Sequence, residues 1–326
     1  HVHKILNSHG INAESYIREE FDWIRSAIPP SNRQEYLDIA RIGRKFPFQK
    51  DIRREILMGL TCWEKKMLDV GIVDYLGLTN EVYSFIDKIS PIYDHVLVDE
   101  SQDFGTTELS VIHKITKPGI NDLFLCGDVA QSVLAKKRSL SDANIELVGG
   151  REKIVKNYRN TRQILLLAYQ VLMNNLSEEQ FSAADDALEI LDPQYANRSL
   201  SEPLLLKANS LSEEITYARK HLEDLCAQNL NHNGCIVFAG YKNTEIKEYS
   251  KILGIPVLDG NLDPLNEPMV ISDLEQVKGY EFDTVIIVNC EAGILPLTGI
   301  HEGEIYRSAC QFYVAMTRAK NDLYLS

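Results

Sequence analysis

The chain has 326 residues, of which 44% are apolar, 25% charged and 8% aromatic, and its formal net charge is −13. At roughly 150 residues per domain this predicts a folded globular protein of about two domains, and it excludes a disordered, collagen-like or coiled-coil chain. The acidic balance excludes a generally basic nucleic-acid coat but leaves room for a local basic strip.

Residues 1 to about 90 predict helices, with 13 basic and 13 acidic residues in balance. Apolar positions recur at helical spacing through Tyr16-Ile17, Phe21, Trp23-Ile24 and Ile28, until Pro29-Pro30 stops the run. A second piece holds Tyr36, Leu37 and Ile39. A third runs from Ile52 to a stop at Gly71, and Thr79 is placed to cap a fourth. Near Tyr93 the period changes. Asp94 to Val98 reads as a strand ending in Asp99-Glu100, then a helix from Thr107 to Thr116, then a strand Leu123 to Cys126 ended by Gly127-Asp128. Strand, helix, strand at this spacing predicts a parallel βαβ unit. Ligand sites in such sheets lie beyond the carboxyl ends of the strands, so Asp99, Glu100 and Asp128 are expected at one edge.

A boundary is expected at Gly149-Gly150, followed by Ile154-Val155, a polar cluster and a helix from Thr161 to about Asn174. The acidic stretch 177–202 reads as a solvated, partly helical connection. Further βα elements follow: Leu204 to Lys207, Glu213 to Leu230, Cys235 to Ala239, Asn243 to Leu253, Pro256 to Leu258, Met269 to Ile271 and Thr284 to Val288. No apolar run approaches the roughly 18 residues of a membrane span, and no signal peptide is recognisable. The six cysteines form neither CxxC nor zinc spacing, which suits a reducing, cytoplasmic compartment. The chain opens on His1 and stops in the strand-like Leu323 to Ser326, so a piece of a longer protein is expected.

Five strings carry the chemistry. Val98-Asp99-Glu100-Ser101-Gln102-Asp103 has the Walker B arrangement: an Asp to hold Mg²⁺ and a Glu to orient and deprotonate water. A solvated acidic turn is the plain alternative. In Cys126 to Ser132, Gln131 could touch a γ-phosphate or its water, or the string is an ordinary Gly-Asp turn. In Lys156 to Thr161, Arg159 offers a guanidinium fork for phosphate oxygens, or the string only caps the next helix. Gln276 to Asp283 precedes a strand. Tyr313 to Lys320 contains Arg318, either a cleft arginine or a helix-surface one.

Their order and spacing resemble the superfamily 1 DNA helicases typified by UvrD, Rep and PcrA. Val98 to Asp103 resembles motif II, Gly127 to Ser132 motif III, Asn157 to Thr161 motif IV, Val277 to Phe282 motif V and Tyr313 to Ala319 motif VI. The resemblance covers residues 94 to 326, and more loosely the helical segment around Tyr36 to Gly43. It implies an α/β fold of tandem RecA-like P-loop NTPase domains with parallel sheets. Residues 1–90 would be a helical insertion, 91–149 the C-terminal part of a truncated first domain, and 150–326 the second domain, with the large 2B insertion missing or reduced. It implies ATP and Mg²⁺ as cofactors, with Asp99 on the metal, Glu100 activating water, Gln131 sensing the γ-phosphate, and Arg159 and Arg318 stabilising phosphoryl charge. Asp128, Lys278 and Gly279 would lie near the nucleotide, and Glu281 on its sugar. The implied partners are single-stranded DNA or a duplex with a single-stranded tail, and other DNA-repair proteins, with no membrane.

Two departures stand out. No Gly-x-x-x-x-Gly-Lys-Ser/Thr loop occurs in the chain, so these residues alone are expected to hydrolyse ATP scarcely. In motif V, Glu275-Gln276 and Tyr280 stand where a His-x-x-Lys-Gly-Leu/Tyr-Glu pattern is more usual. A basic strip over residues 136–162 sets Lys136, Lys137, Arg138, Arg151, Lys153, Lys156, Arg159 and Arg162 against three acids, and is a candidate DNA track. The competing reading is a non-catalytic DNA-binding or interaction scaffold with a retained motor fold.

Overall fold

A computed structural model describes residues 1–9, 11–41, 44, 46–131, 133–147, 152, 154, 156–175, 193–260, 262–263, 267–291, 293–295 and 302–326. Gly43, Ser132, Gly149, Gly150, Arg151, Lys153, Val155 and most of the acidic stretch 177–202 lie outside them. The chain forms two compact units, His1–Glu152 and Lys153–Ser326. Both are mixed α/β with parallel strand pairing. Among the described residues no helix is long and apolar enough to cross a membrane.

The first unit is mainly helical: α1 Val2–Ser8, α2 Ala13–Ala27, a 3-10 segment Pro30–Leu37, α3 Lys50–Asp69, α4 Tyr75–Ser84 and α5 Thr106–Ile115. Asn12 caps α2 by accepting from Ser15 N at 3.1 Å. The helix boundary expected at Thr79 is corrected. The helix starts at Tyr75, capped by Asp74, whose Oδ1 accepts from Gly77 N at 2.7 Å. Thr79 lies inside it, with its hydroxyl on Tyr75 O at 2.9 Å. Asp74 carries a second duty, accepting from Arg25 Nη1 at 2.8 Å, which explains why the cap is an acid rather than a threonine. Leu6, Trp23, Ile24, Ile28, Tyr36 and Leu60 form the core of these helices.

Within that core sits a charge knot. Glu20 is fully buried and accepts from Tyr36 Oη and Arg41 Nε, each at 2.6 Å, and from Arg44 Nε at 3.0 Å. Burial pushes the Glu20 carboxyl up, but the Arg41 hydrogen bond and the charges of Arg41 and Arg44 outweigh it and hold the group below the usual carboxylate range. Strands β1 Val96–Val98 and β2 Leu123–Leu125 pair in parallel across α5, as the βαβ pattern predicts. The helices reach this sheet through α5: Thr107 Oγ1 donates to Arg25 O at 3.1 Å, and a Cβ at Gly105 would lie only 2.5 Å from Ser26 Cβ.

The second unit contains β3 Asn157–Thr161, α6 Arg162–Asn174, β4 Ala196–Arg198, β5 Leu204–Leu205, α7 Leu211–Gln228, β6 Gly234–Phe238, α8 Asn243–Leu253, β7 Met269–Asp273, β8 Phe282–Val288, α9 Glu302–Met316 and β9 Ala319–Leu325. Five strands pair in parallel in the order β5-β9-β8-β6-β7. Ile236, Phe238, Ile286 and Val288 pack with Ile215, Ala218 and Leu222 of α7 and Ile246 of α8. The alternate residues Cys235, Val237, Val285 and Ile287 are also fully buried, so both faces of the central strands are covered. Two expectations are corrected. The strand runs through the polar cluster at Asn157–Thr161, because Asn160 is buried and its amide donates to Thr317 O and Ala319 O at 2.7 Å each. Pro256 to Leu258 forms only an isolated bridge, Val257 to Ile271.

Candidate functional site

In the first unit the expected residues meet at the carboxyl ends of β1 and β2. Ser101 N donates to Cys126 O at 2.8 Å and Cys126 N to Val98 O at 2.9 Å, which holds the two strand ends in register. Glu100 has φ 51, the left-handed region that a non-glycine residue adopts only under constraint. Gln102 Nε2 donates to Glu100 Oε2, and Gln102 Oε1 accepts from Asp128 N at 3.0 Å. Asp128 in turn accepts from Gln131 Nε2 at 2.9 Å. Glu100, Gln102, Asp128 and Gln131 therefore form one hydrogen-bonded chain. A Cβ at Gly127 would meet Gln102 Oε1 and lie 2.9 Å from Ser101 Oγ, so a larger residue there would displace the Gln102 amide from this chain.

Asp99 is exposed beside this chain. Its Oδ1 accepts from the Cys126 thiol at 3.1 Å and from Glu100 N at 2.8 Å. Those two bonds, the thiol's first, hold the Asp99 carboxyl below the usual carboxylate range. The bond to Asp99 and then burial push the Cys126 thiol up. An exposed, ionised carboxylate with hard oxygen donors fits Mg²⁺, which keeps several waters and takes the rest of its ligands from phosphates. Among the described residues no group of three or more His, Cys, Asp or Glu could hold a metal ion.

In the second unit Arg159, Lys278, Gly279 and Glu281 stand around the start of β8. Arg159 Nε lies 2.6 Å from Glu281 Oε1, so a side chain from the motif IV string meets one from motif V. The motif V loop hangs from Asp273, whose Oδ1 accepts from Glu275 N at 2.9 Å and Gln276 N at 2.6 Å. Val277 anchors the loop in the core, and Gly279 turns it at φ 89. Arg318 is neither on a helix nor on the surface. It follows α9, is 3% exposed, and donates through Nε to Val314 O at 3.0 Å.

The basic strip is less available than its charge implies. Lys136 Nζ lies 2.8 and 2.9 Å from the two Glu108 carboxylate oxygens and 2.9 Å from Asp103 O. Lys137 pairs with Asp142 at 3.2 Å. Sequence reasoning assigns no role to Gln102, Cys126 or Arg198, whose Nη1 donates to Arg159 O at 2.9 Å. Gln102 carries a signal, a glutamine directly after the Asp-Glu-Ser run. The other two carry none.

Residues 261–326 match the family model of the UvrD-like helicase C-terminal domain. That span includes Lys278, Gly279, Glu281 and Arg318, and the resemblance drawn from motifs V and VI is shown there. Over 192 residues the chain is 25% identical to a probable DNA helicase II homologue of Mycoplasma capricolum, covering 57% of this chain and 24% of that protein. Over 72 residues it is 38% identical to one subunit of an ATP-dependent helicase/nuclease of Natranaerobius thermophilus, covering 19% of this chain and 6% of that one. The chain thus spans under a quarter of the curated relatives it matches. A crystal structure of the C-terminal domain of a possible DNA helicase from Lactobacillus plantarum aligns over 52% of this chain and 86% of that one, with 19% identity and a TM-score of 0.35.

Proposed function

We propose that this chain is part of an ATP-dependent DNA helicase or translocase that acts on single-stranded DNA, moves 3′ to 5′, and couples ATP hydrolysis to strand movement in DNA repair or replication. The observation that carries the reading is the hydrogen-bonded chain Glu100–Gln102–Asp128–Gln131 at one sheet edge. It joins the candidate base to the candidate γ-phosphate sensor, so a change at one alters the bonds of the other.

In this reading Asp99 would hold Mg²⁺, and the ion would supply positive charge to the phosphates of ATP. Glu100, fixed by its backbone and by Gln102, accepts the proton of the attacking water. Gln131 orients on the γ-phosphate, and Arg159 and Arg318 supply guanidinium charge to the phosphoryl group. Arg318 must exchange its bond to Val314 O to do so. Glu281 takes a sugar hydroxyl, beside Lys278 and Gly279. The phosphate loop has to come from outside these 326 residues, which alone turn over scarcely. The competing reading is a non-catalytic DNA-binding or interaction scaffold with a retained motor fold, which a ruined phosphate loop in the longer polypeptide would support and an intact one would not.

Single-stranded-DNA-stimulated ATP hydrolysis by the full-length polypeptide, with Glu100→Gln beside it, decides between them. The expected loss is roughly 10²-fold or more. Absence of turnover with any DNA and Mg²⁺, or turnover indifferent to Glu100→Gln, overturns the motor reading.

A further inference from the structure

Helix α4, Tyr75–Ser84, is apolar on two faces. Leu76 and Asn80 turn inward, and Asn80 Nδ2 donates to Arg25 O at 3.1 Å and to Leu76 O at 2.7 Å. The opposite face holds Tyr75, Leu78, Val82 and, just past the helix, Phe85. Their spacing of three, four and three residues makes one helical stripe. Tyr75, Leu78 and Phe85 are 89%, 53% and 54% exposed, and Val82 is partly buried. The turn before α4 extends the patch. Gly71 N donates to Leu68 O at 3.0 Å and Ile72 N to Met67 O at 2.9 Å, which gathers Leu68, Val70, Ile72 and Val73, all more than half exposed. Taking about 150–200 Å² for a large apolar side chain, the exposed members offer roughly 700–800 Å². The largest apolar patch on a monomer is ordinarily about 300–600 Å², whereas a stable interface takes about 800 Å² from each partner.

We infer that this face is an interface between two copies of this chain, paired through antiparallel α4 helices about a two-fold axis at Asn80. The inference is independent of the nucleotide site. A two-fold interface must be self-complementary, and the stripe reads the same in both directions, with an aromatic residue at each end and a branched aliphatic one inside. The axis sets Tyr75 against the partner's Phe85 and Leu78 against the partner's Val82, and it opposes the two helix dipoles. No charge falls within the stripe. Lys88 Nζ lies 5.4 Å from the Phe85 ring, and Asp69, Glu81 and Asp87 are exposed, which supplies a polar rim. Glu81, next to the axis, comes beside the partner's Glu81, a like-charge contact that only the antiparallel pairing makes.

Sedimentation equilibrium of the 326-residue chain tests this. The chain is expected to be dimeric at about 50 µM, above the micromolar constants of weak interfaces of this size. Leu78→Glu or Val82→Lys alone is expected to weaken association about 30-fold or more, the scale of an interface hot spot. The two variants mixed are expected to regain the dimer, because position 78 meets the partner's position 82. Glu81→Gln should tighten it about twofold by removing the like-charge contact. Unchanged thermal midpoints show that the variants fold, and Tyr75→Glu, at the most exposed position, replaces Leu78→Glu if that midpoint falls. A wild-type chain that stays monomeric overturns the inference and leaves the face to a different protein or to the rest of a longer polypeptide. A dimer indifferent to Leu78→Glu and Tyr75→Glu overturns it in favour of another surface. A mixture that stays monomeric overturns the antiparallel register.

Discussion

The two units solve the same problem of burial by opposite means. The second unit rests on a five-stranded parallel sheet whose central residues, Ile236 and Val237 on β6 and Val285 to Val288 on β8, are fully buried. The first has two paired strands of three residues each among its described residues. One face of that pair packs, through Leu123 and Leu125, on Leu109 of α5 and on Leu140, Ala143 and Ile145 of the segment that follows β2. The other presents Leu97 and Phe124, register partners that are 75% and 59% exposed. A parallel sheet ordinarily has both faces covered. The first unit draws its order from helix packing and from the buried Glu20 knot. A parallel βαβ unit thus places catalytic-type side chains at a strand edge even where the sheet itself contributes little core.

The largest expected effect breaks that knot. Glu20→Ala leaves Arg41 and Arg44 buried without their shared partner, which typically costs roughly 3–5 kcal/mol. Hydrogen exchange should then rise in peptides from α2 and α3 but not in β6 and β8. Equal loss of protection in both units would show that the knot is not a local support of the first.

A paired substitution sharpens the contrast between the sheets. Ile286→Ala empties a fully buried site and should cost about 3 kcal/mol in urea unfolding. Leu97→Ala, on the exposed face, should stay within about 0.5 kcal/mol. A large cost at Leu97 would mean that this face is covered in solution.

The smallest effect is the pH dependence. The folded pKa of Glu20 is depressed, so its stabilising contribution is present above the unfolded value, near 4.3, and is lost as pH falls through the folded value. Protection of α2 should decline below about pH 4 before that of β8, and Glu20→Gln should remove the difference. Protection that falls in parallel in both units with Glu20 intact would contradict the assignment.

Much of the fold is legible locally. The apolar run into Asp99-Glu100, the Gly127-Asp128 stop and the change of period near Tyr93 mark the βαβ unit, because strand, turn and cap preferences are properties of neighbours in sequence. The strand at Asn157–Thr161 is not legible, since its polar residues look like loop until Asn160 finds the carbonyls of Thr317 and Ala319. The start of α4 is open to local reading, since Asp is a preferred cap and its bond to Gly77 N is local, whereas its second partner, Arg25, is remote in sequence.

The sequence by itself determined the order of the motifs, the candidate residues and the helicase resemblance, because these depend on residue identity and spacing alone. Only the tertiary structure decided that Gln102 links Glu100 to Asp128, that Arg159 is held by Glu281, that Arg318 is buried on Val314 O, and that Lys136 is spent on Glu108. Most of these join groups from separate elements, and a hydrogen bond or ion pair requires atoms within about 3 Å. No local preference encodes which distant partner arrives. The packing of the elements does.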